Sequence, residues 1–337
     1  MSTKELIKDM RKAIEIELQK SIDQFNLDKN TELYDMLCYH MGWLGDGAGP
    51  EAQGKRIRPT ITLLSAAAVG KDWKNALPAA AGVELLHNFS LIHDDIQDQS
   101  PLRRGRPTVW NKWGIAQAIN AGDALFTLAH LALLNISDTA GAEIAVRASR
   151  ILHSTAIEIT NGQYMDLSFE SQAEVSLEAY WKMISGKTSA LLGCSTQLGG
   201  LVVKAEPQQE IALKKLGISL GLAFQVQDDW LGIWGDSAIL GKSTESDIVS
   251  GKKTLPILFA LSRAGAFKTR WEKGPITSEE VPWASKLLVD NGAQEYTQKT
   301  GDKLAEEAVQ YIDQLGTQNE GVDGLRELLE TLNGRQK

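Results

Sequence analysis

HDDIQD sets three carboxylates within five positions, Asp94, Asp95 and Asp98, and SPLRRGRP follows with Arg103, Arg104 and Arg106. Further along, QVQDDWLGIWGD starts the same acidic pattern at Asp228 and Asp229 but has Gly232 where a third aspartate would complete it. On a helix, Asp94 and Asp98 stack one turn apart with Asp95 beside them. Like charges at that spacing repel and weaken the helix that carries them. Both clusters close apolar runs, AAAGVELLHNFSLI and LGISLGLAFQVQ, so each emerges from a core helix rather than a solvated one. Carboxylates at the end of an apolar cleft suit a hard cation. Mg2+ takes oxygen ligands, keeps several waters and is commonly held by one or two carboxylates plus substrate phosphates. Two such clusters facing each other would clamp a diphosphate through several Mg2+ ions. The basic residues fit the same ligand: Lys55, Arg56 and Arg58 in GKRIRP, with the three arginines of RRGRP, offer ammonium and forked guanidinium donors to phosphate oxygens.

The elements that would position these groups read as helices. Apolar residues recur at helical spacing almost everywhere, beginning with Leu6, Met10 and Ile14, and no segment alternates as a strand should. The pattern predicts a first helix, a second over about 30–44, and others over about 57–69, 76–97, 109–134, 142–166, 174–200, 208–232, 254–265, 278–290, 294–314 and 321–333. Gly70, Pro101, Gly141, Pro207, Gly241, Gly251, Gly274 and Pro275 punctuate them. No linker rich in Pro, Gly or Ser divides the chain. The expected fold is all-α: one domain over 1–337, a single large bundle of about a dozen helices, with two bundles of about 100–130 residues as the alternative.

Composition narrows the function classes. The 337 residues are 43% hydrophobic and carry a formal charge of −8 spread along the chain, with no polybasic run of the kind nucleic acid needs. Cys38 and Cys194 have no metal-ligand spacing, and two thiols in so long a chain suit a reducing compartment. MSTKELIKDMRKAIEIELQKSI is an amphipathic charged helix without the apolar centre of a signal peptide. The most apolar stretch, 115–136, carries Asn120, Asp123 and His130, costly in lipid, and is expected to be the buried centre of the bundle. A cytoplasmic protein with no membrane span is expected.

GKRIRP, ELLHNFSLIHDDIQD, RRGRPTVW, GKTSALL, FQVQDDWLGIWGD, LGK and SDIVSGKKTLP, in that order over about 50–260, resemble the trans-polyprenyl diphosphate synthases. The DDWLGIWGD form of the second motif is especially similar to bacterial geranylgeranyl diphosphate synthases. The resemblance implies an isoprenoid-synthase bundle around a central apolar cavity, usually a homodimer. It also implies a Mg2+-dependent prenyltransferase reaction, in which an allylic diphosphate ionises and isopentenyl diphosphate attacks the carbocation head-to-tail. By the same resemblance, Asp94 and Asp98 are Mg2+ ligands with Asp95 in support, and Asp228 is the second-motif ligand with Asp229 adjacent. Arg103, Lys187 and Lys242 would contact the allylic diphosphate, and Lys252 would close the site. Thr188 and Gln225 would steady the cation by oxygen dipoles. Lys55, Arg58, His87 and Arg104 would grip isopentenyl diphosphate, while His93 is taken as structural or supporting.

Gly232 departs from the full DDxxD pattern. The expectation is that Asp228 alone supplies the essential ligand, with Gly232 exposing backbone or water and Asp236 available two turns on. Chain length in such enzymes is set by what blocks the tunnel below the first motif. Ser90 and Phe89 lie four and five residues before Asp94, about 6–7.5 Å along the helix. One aromatic there points to a C20 product, geranylgeranyl diphosphate, with C15 farnesyl diphosphate as the alternative. A class I terpene cyclase would have no use for a second diphosphate grip. A non-catalytic synthase subunit should have lost its aspartates, and Gly232 is the only hint of that.

Overall fold

The computed structural model describes residues 2–24, 31–235 and 246–333. Lys242 and Asp236, both singled out above, lie outside these residues. The chain forms two compact units: residues 1–156, 194–213 and 315–325 make the first, and 157–193, 214–314 and 326–337 the second. Helix dominates both.

In the first unit, Ser2 and Glu5 close a capping box at the start of helix Thr3–Asp23, which buries Leu6, Met10, Ile14, Leu18 and Ile22 along one face. Helix Ile57–Ala68 starts within GKRIRP, with Arg56 at its N-cap and Arg58 in its first turn. Helix Leu77–Gln97, with Pro78 in its first turn, is buried along most of its length and delivers the first aspartates at its end. It packs chiefly against helix Ile115–Leu134.

Between those two helices the sequence pattern misses a small hairpin, Leu102–Arg103 paired antiparallel with Arg106–Pro107. Arg104 and Gly105 form its tip with φ of 51° and 73°. Two successive positive φ values make the tight turn that matches strand twist, and glycine in the second position makes it accessible. The turn places Arg104 at the tip and sets Arg103 opposite Arg106.

Helix Ile115–Leu134 differs from the expected buried centre. The stretch Ile115–Ala140 is long and apolar enough to cross a membrane, with mean hydropathy 1.3, yet only 44% of its most apolar window is buried. Ile115, Ile119 and Leu134 are 55%, 41% and 54% exposed. One face meets the core, and the other mixes these apolar residues with exposed Gln117, Asn120, Asp123 and Thr127.

In the second unit, Phe169, Tyr180, Met183, Ile184, Val226, Leu255 and Leu258 form a core cluster. The expected continuous helix over 174–200 is instead Leu177–Ile184, a π-helical turn at Ser185–Ser189, and Ala190–Val202. A π turn inserts an extra residue into the helix and re-aims the side chains around it. Here it carries Lys187 and Thr188. Helix Pro207–Trp234 ends with the second aspartate pair, and helix Leu255–Leu261 begins just after the GKK segment.

Candidate active site

The first unit holds one half of the predicted chemistry. Asp94 is half-buried and Asp98 exposed, while Asp95 is 3% exposed. Asp98 ends the helix, its N–H donating to the Asp94 carbonyl at 2.8 Å. Asp95, expected to support the metal ligands, turns inward in phase with Ile92. Arg103 Nε lies 2.9 Å from each of its oxygens, and Nη2 reaches Oδ1 at 2.8 Å. Burial pushes the Asp95 carboxyl above its ordinary value, and the Arg103 guanidinium works against that rise. The pair therefore fixes the hairpin to the end of the aspartate helix.

The grip residues gather beside it. Arg58 Nη1 stands 3.1 Å from His87 Nε2. A guanidinium can only donate, so Nε2 accepts and the ring is neutral with its proton on Nδ1. Burial, then the nearby charges of Arg58, Arg104 and Arg103, hold His87 well below the usual histidine value. Arg104 folds over Gly54, where a Cβ would fall 2.6 Å from the guanidinium carbon, and donates to the Ala52 carbonyl at 2.7 Å. Lys55, next in the chain, is exposed.

Two basic residues offered above as phosphate donors have other tasks. Arg56 is buried, donating to Glu15 at 2.6 Å, Glu84 at 2.8 Å and the Met41 carbonyl at 3.0 Å. Arg106 is buried too, donating to the carbonyls of Asp46, Tyr39 and Leu44. Both hold the loop that precedes GKRIRP.

Below the first motif lies a run of rings. Phe89 contacts His93 at 4.7 Å and Phe126 at 4.9 Å between centroids; Phe126 meets His130 at 4.4 Å, and His130 meets His153 at 4.0 Å. Ser90 donates to the His87 carbonyl at 2.8 Å, leaving the bulk at this level to Phe89.

In the second unit Asp228 is exposed and Asp229 is 4% exposed. Asp229, expected beside the metal, has both oxygens occupied by protein donors. Tyr180 Oη reaches Oδ2 at 2.6 Å, the Leu255 N–H reaches Oδ2 at 2.8 Å, and Gln225 Nε2 reaches Oδ1 at 3.0 Å. Burial raises its pKa to about 6, with the three hydrogen bonds pulling it back. Gln225 Oε1 in turn accepts from Thr188 Oγ1 at 2.8 Å.

Lys187 forms an ion pair with Asp166, a residue not picked out from sequence. Two glycines make that pair possible. A Cβ on Gly162 would lie 2.2 Å from the Lys187 backbone nitrogen, and one on Gly186 would lie 2.6 Å from the Glu158 carbonyl. The π turn and helix Ala142–Ser171 thus touch backbone to backbone, and Asp166, one turn past Gly162, reaches Lys187.

Lys252 is exposed, while Lys253 anchors its segment by donating to the Phe169 carbonyl at 2.5 Å. Desolvation of its ammonium end works against the Lys252 charge although the residue as a whole is exposed, and Asp247, Asp166, Asp229 and Asp228 together hold it above the ordinary lysine value. Asp166, Lys187, Gln225, Asp228 and Lys252 line one cleft of about 170 Å³.

The gap at Gly232 is filled. A Cβ there would fall 2.1 Å from Asp247 Oδ2 and 2.9 Å from its Cγ. The expectation that Gly232 exposes backbone or water is corrected: a carboxylate from SDIVSGKK lies where the side chain of a third aspartate would begin.

The donor set can be weighed for a metal. Among the described residues no group of three or more His, Cys, Asp and Glu side chains is assembled as a closed metal cage. Each acidic end instead presents carboxylate oxygens toward solvent, with cationic groups nearby. That fits a hard ion completing its shell with water and phosphate oxygen, and not a structural zinc.

A family model for polyprenyl synthetase matches residues 49–285. A geranylgeranyl diphosphate synthase of Mycobacterium tuberculosis is 39% identical over 284 residues, covering 82% of this chain and 80% of the relative. A (2E,6E)-farnesyl diphosphate synthase of Mycobacterium bovis is 36% identical over 311 residues, covering 89% and 86%. The crystal structure of a polyprenyl synthetase from Streptomyces coelicolor superposes with a TM-score of 0.86 at 34% identity, over 98% of this chain and 99% of that one.

Proposed function

The chain belongs to the polyprenyl synthetase family, and from that membership we propose that it makes geranylgeranyl diphosphate from isopentenyl diphosphate and allylic diphosphates. It is a prenyltransferase of the short-chain kind. The observation that carries the assignment is the pairing of acidic ends with a separate basic grip. Arg58 held on neutral His87, with Lys55 and Arg104 nearby, is what a second diphosphate substrate requires, and a cyclase has no such substrate.

In this reading Asp94 and Asp98 in the first unit and Asp228 in the second would hold several Mg2+ ions. Bound there, Mg2+ would neutralise charge developing on the departing diphosphate. Lys187 and Lys252 of the second unit would supply positive charge to that leaving group, and Arg103 is proposed as an allylic-diphosphate contact on the family resemblance alone. The allylic C–O bond breaks with its electron pair leaving on oxygen. Oxygen dipoles of Thr188 and Gln225 face the cation that remains. The isopentenyl double bond attacks it, and loss of a proton restores an allylic diphosphate one C5 unit longer. Phe89, backed by Phe126, His130 and His153, is the floor that ends growth at C20.

Farnesyl diphosphate is the second reading, favoured by the bulk of Phe89 and by the farnesyl diphosphate synthase relative. A homodimer is supported by the exposed apolar Ile115, Ile119 and Leu134 of helix Ile115–Leu134. On helix Ala142–Ser171, exposed Val146, Ile157 and Tyr164 share one side by helical phase. A cytoplasmic location is consistent with Cys38 and Cys194 as buried thiols outside any disulfide.

The test is direct. The purified protein is incubated with Mg2+, labelled isopentenyl diphosphate and each allylic starter, and the products are sized. A C20 product is expected, lost on Asp228→Ala. Product from no starter would overturn the assignment, and a C15 end point would favour the second reading.

A further inference from the structure

Helix Pro207–Trp234 carries Gln225 and Asp229 four residues apart, so their side chains meet on one face. Three further elements of the same unit converge on them. Tyr180 comes from helix Leu177–Ile184, Leu255 opens helix Leu255–Leu261, and Thr188 sits in the π turn. Hydrogen-bonding capacity then dictates the direction of every bond. The Leu255 N–H can only donate, and with Tyr180 Oη and Gln225 Nε2 it makes three donors around the Asp229 carboxylate, which accepts on both oxygens. Gln225 must therefore turn its NH2 toward Asp229, which puts Oε1 toward Thr188. Thr188 has one hydroxyl hydrogen, and at 2.8 Å from Oε1 it is committed to Gln225. What remains unshared at this end of the network is oxygen lone pairs.

From this chain of constraints we infer that Asp229 is a positioning residue that sets the polarity of Thr188 and Gln225, with Tyr180 and the Leu255 N–H holding it in place. The inference rests on the prenyl-transfer reading above, and it deepens it. A hydroxyl that has given its hydrogen to Gln225 offers only negative dipole to a carbocation. The same hydroxyl with its hydrogen turned outward would repel one. Asp229 also differs from Asp228 in exposure and partners, and it contributes without touching metal or substrate. An asparagine at 229 could donate to Gln225 as well as accept. The Gln225 amide could then turn over, releasing the Thr188 hydrogen.

Asp229→Asn, Thr188→Val and the double variant test this, with Tyr180→Phe as a gentler change if Asp229→Asn folds poorly. Asp229→Asn is expected to lower kcat about 10–100-fold while KM for the allylic diphosphate and the Mg2+ half-saturation stay within about twofold. The rise in melting temperature on adding Mg2+ with inorganic diphosphate should be unchanged. The double variant should be no slower than the slower single, since both break one relay. Tyr180→Phe should show the same pattern at smaller size. A loss of the Mg2+-dependent melting shift in Asp229→Asn would make Asp229 a metal ligand and overturn the inference. An unchanged kcat per folded molecule, or effects of Asp229→Asn and Thr188→Val that multiply, would overturn it too. Absence of product from the unmodified protein would instead sink the prenyl-transfer reading itself.

Discussion

Writing an aspartate at position 232 completes DDxxD on paper, and the structure says it should fail. The new Cβ would start 2.1 Å from Asp247 Oδ2, far inside any contact a real Cβ makes. Asp247 must then swing away. Displacing a side chain from its preferred rotamer costs about 0.5–1.5 kcal/mol. Two carboxylates left about 4–5 Å apart repel by roughly 3–4 kcal/mol at an effective dielectric of about 20, much of it relieved by solvent and Lys252. A net destabilisation of about 1–3 kcal/mol is expected for Gly232→Asp. Gly232→Ala meets the same obstruction without the charge, and gains about 0.5–1 kcal/mol as a helix substitution, so its stability should barely move. Activity should separate from stability. Both variants evict the Asp247 carboxylate, so both should lose about 10–100-fold in rate. The assay is steady-state condensation at saturating Mg2+, beside thermal melts of each variant. Asp247→Ala alone should lose rate comparably, and Gly232→Asp with Asp247→Ala should recover most of it, because one carboxylate again has room. A faster enzyme from Gly232→Asp with Asp247 intact would refute this reasoning.

The remaining expectations follow from the same geometry. Phe89→Ala and Phe126→Ala should each shift product beyond C20 by opening the ring stack, seen by chromatography of the dephosphorylated alcohols; an unchanged length would place the floor elsewhere. Gly162→Ala should destabilise by more than about 2 kcal/mol and cut the rate, because its Cβ meets immovable backbone at Lys187; a normal melt would refute it. His40 and His87 are both held well below 6.5, chiefly by burial and then by neighbouring arginines. Their folded pKa values are depressed, so acid below 6.5 protonates them more readily in the unfolded chain and stability is lost as pH falls. The slope should be at most about 1.4 kcal/mol per pH unit for each histidine. Denaturant melts between pH 7.5 and 5.5 should flatten in His40→Gln and His87→Gln, and parallel curves would contradict this.

Much of the molecule was legible because helices announce themselves by period and the motifs are local. The proposal that Asp94, Asp98 and Asp228 hold a cation drew on acids closing apolar runs and on the family resemblance together, and Asp98 and Asp228 are exposed where the helices deliver them. The inward turn of Asp95 and Asp229 was not read from the sequence: it follows from the burial of Ile92 and Val226, three residues before each, and apolar Leu91 stands at the same spacing before Asp94. Asp166 gave no signal: it is a single acid in a mixed helix, and only the Gly162–Gly186 crossing brings it to Lys187. Asp247 was hidden for a related reason, because its relation to Gly232 is one of volume across a long stretch of chain. The π turn at Ser185–Ser189 had no periodic trace, since one extra residue leaves both flanking helices in pattern. The hairpin was missed because a two-residue strand is too short to alternate, although a glycine after Arg104 is a turn residue.

Arg106 has one further consequence. Its donors go to carbonyl oxygens, so among the described residues no carboxylate cancels its charge, unlike Arg56 with Glu15 and Glu84 or Arg103 with Asp95. It is a permanent interior cation, 8% exposed, in the same patch as Arg103 and Arg104. Mobile ions screen exposed charges over about 8 Å at physiological ionic strength and reach buried ones poorly. An exposed residue such as Lys55 attracts anions strongly only in dilute buffer. Arg106 gives the first unit a standing positive potential that added salt should barely erode.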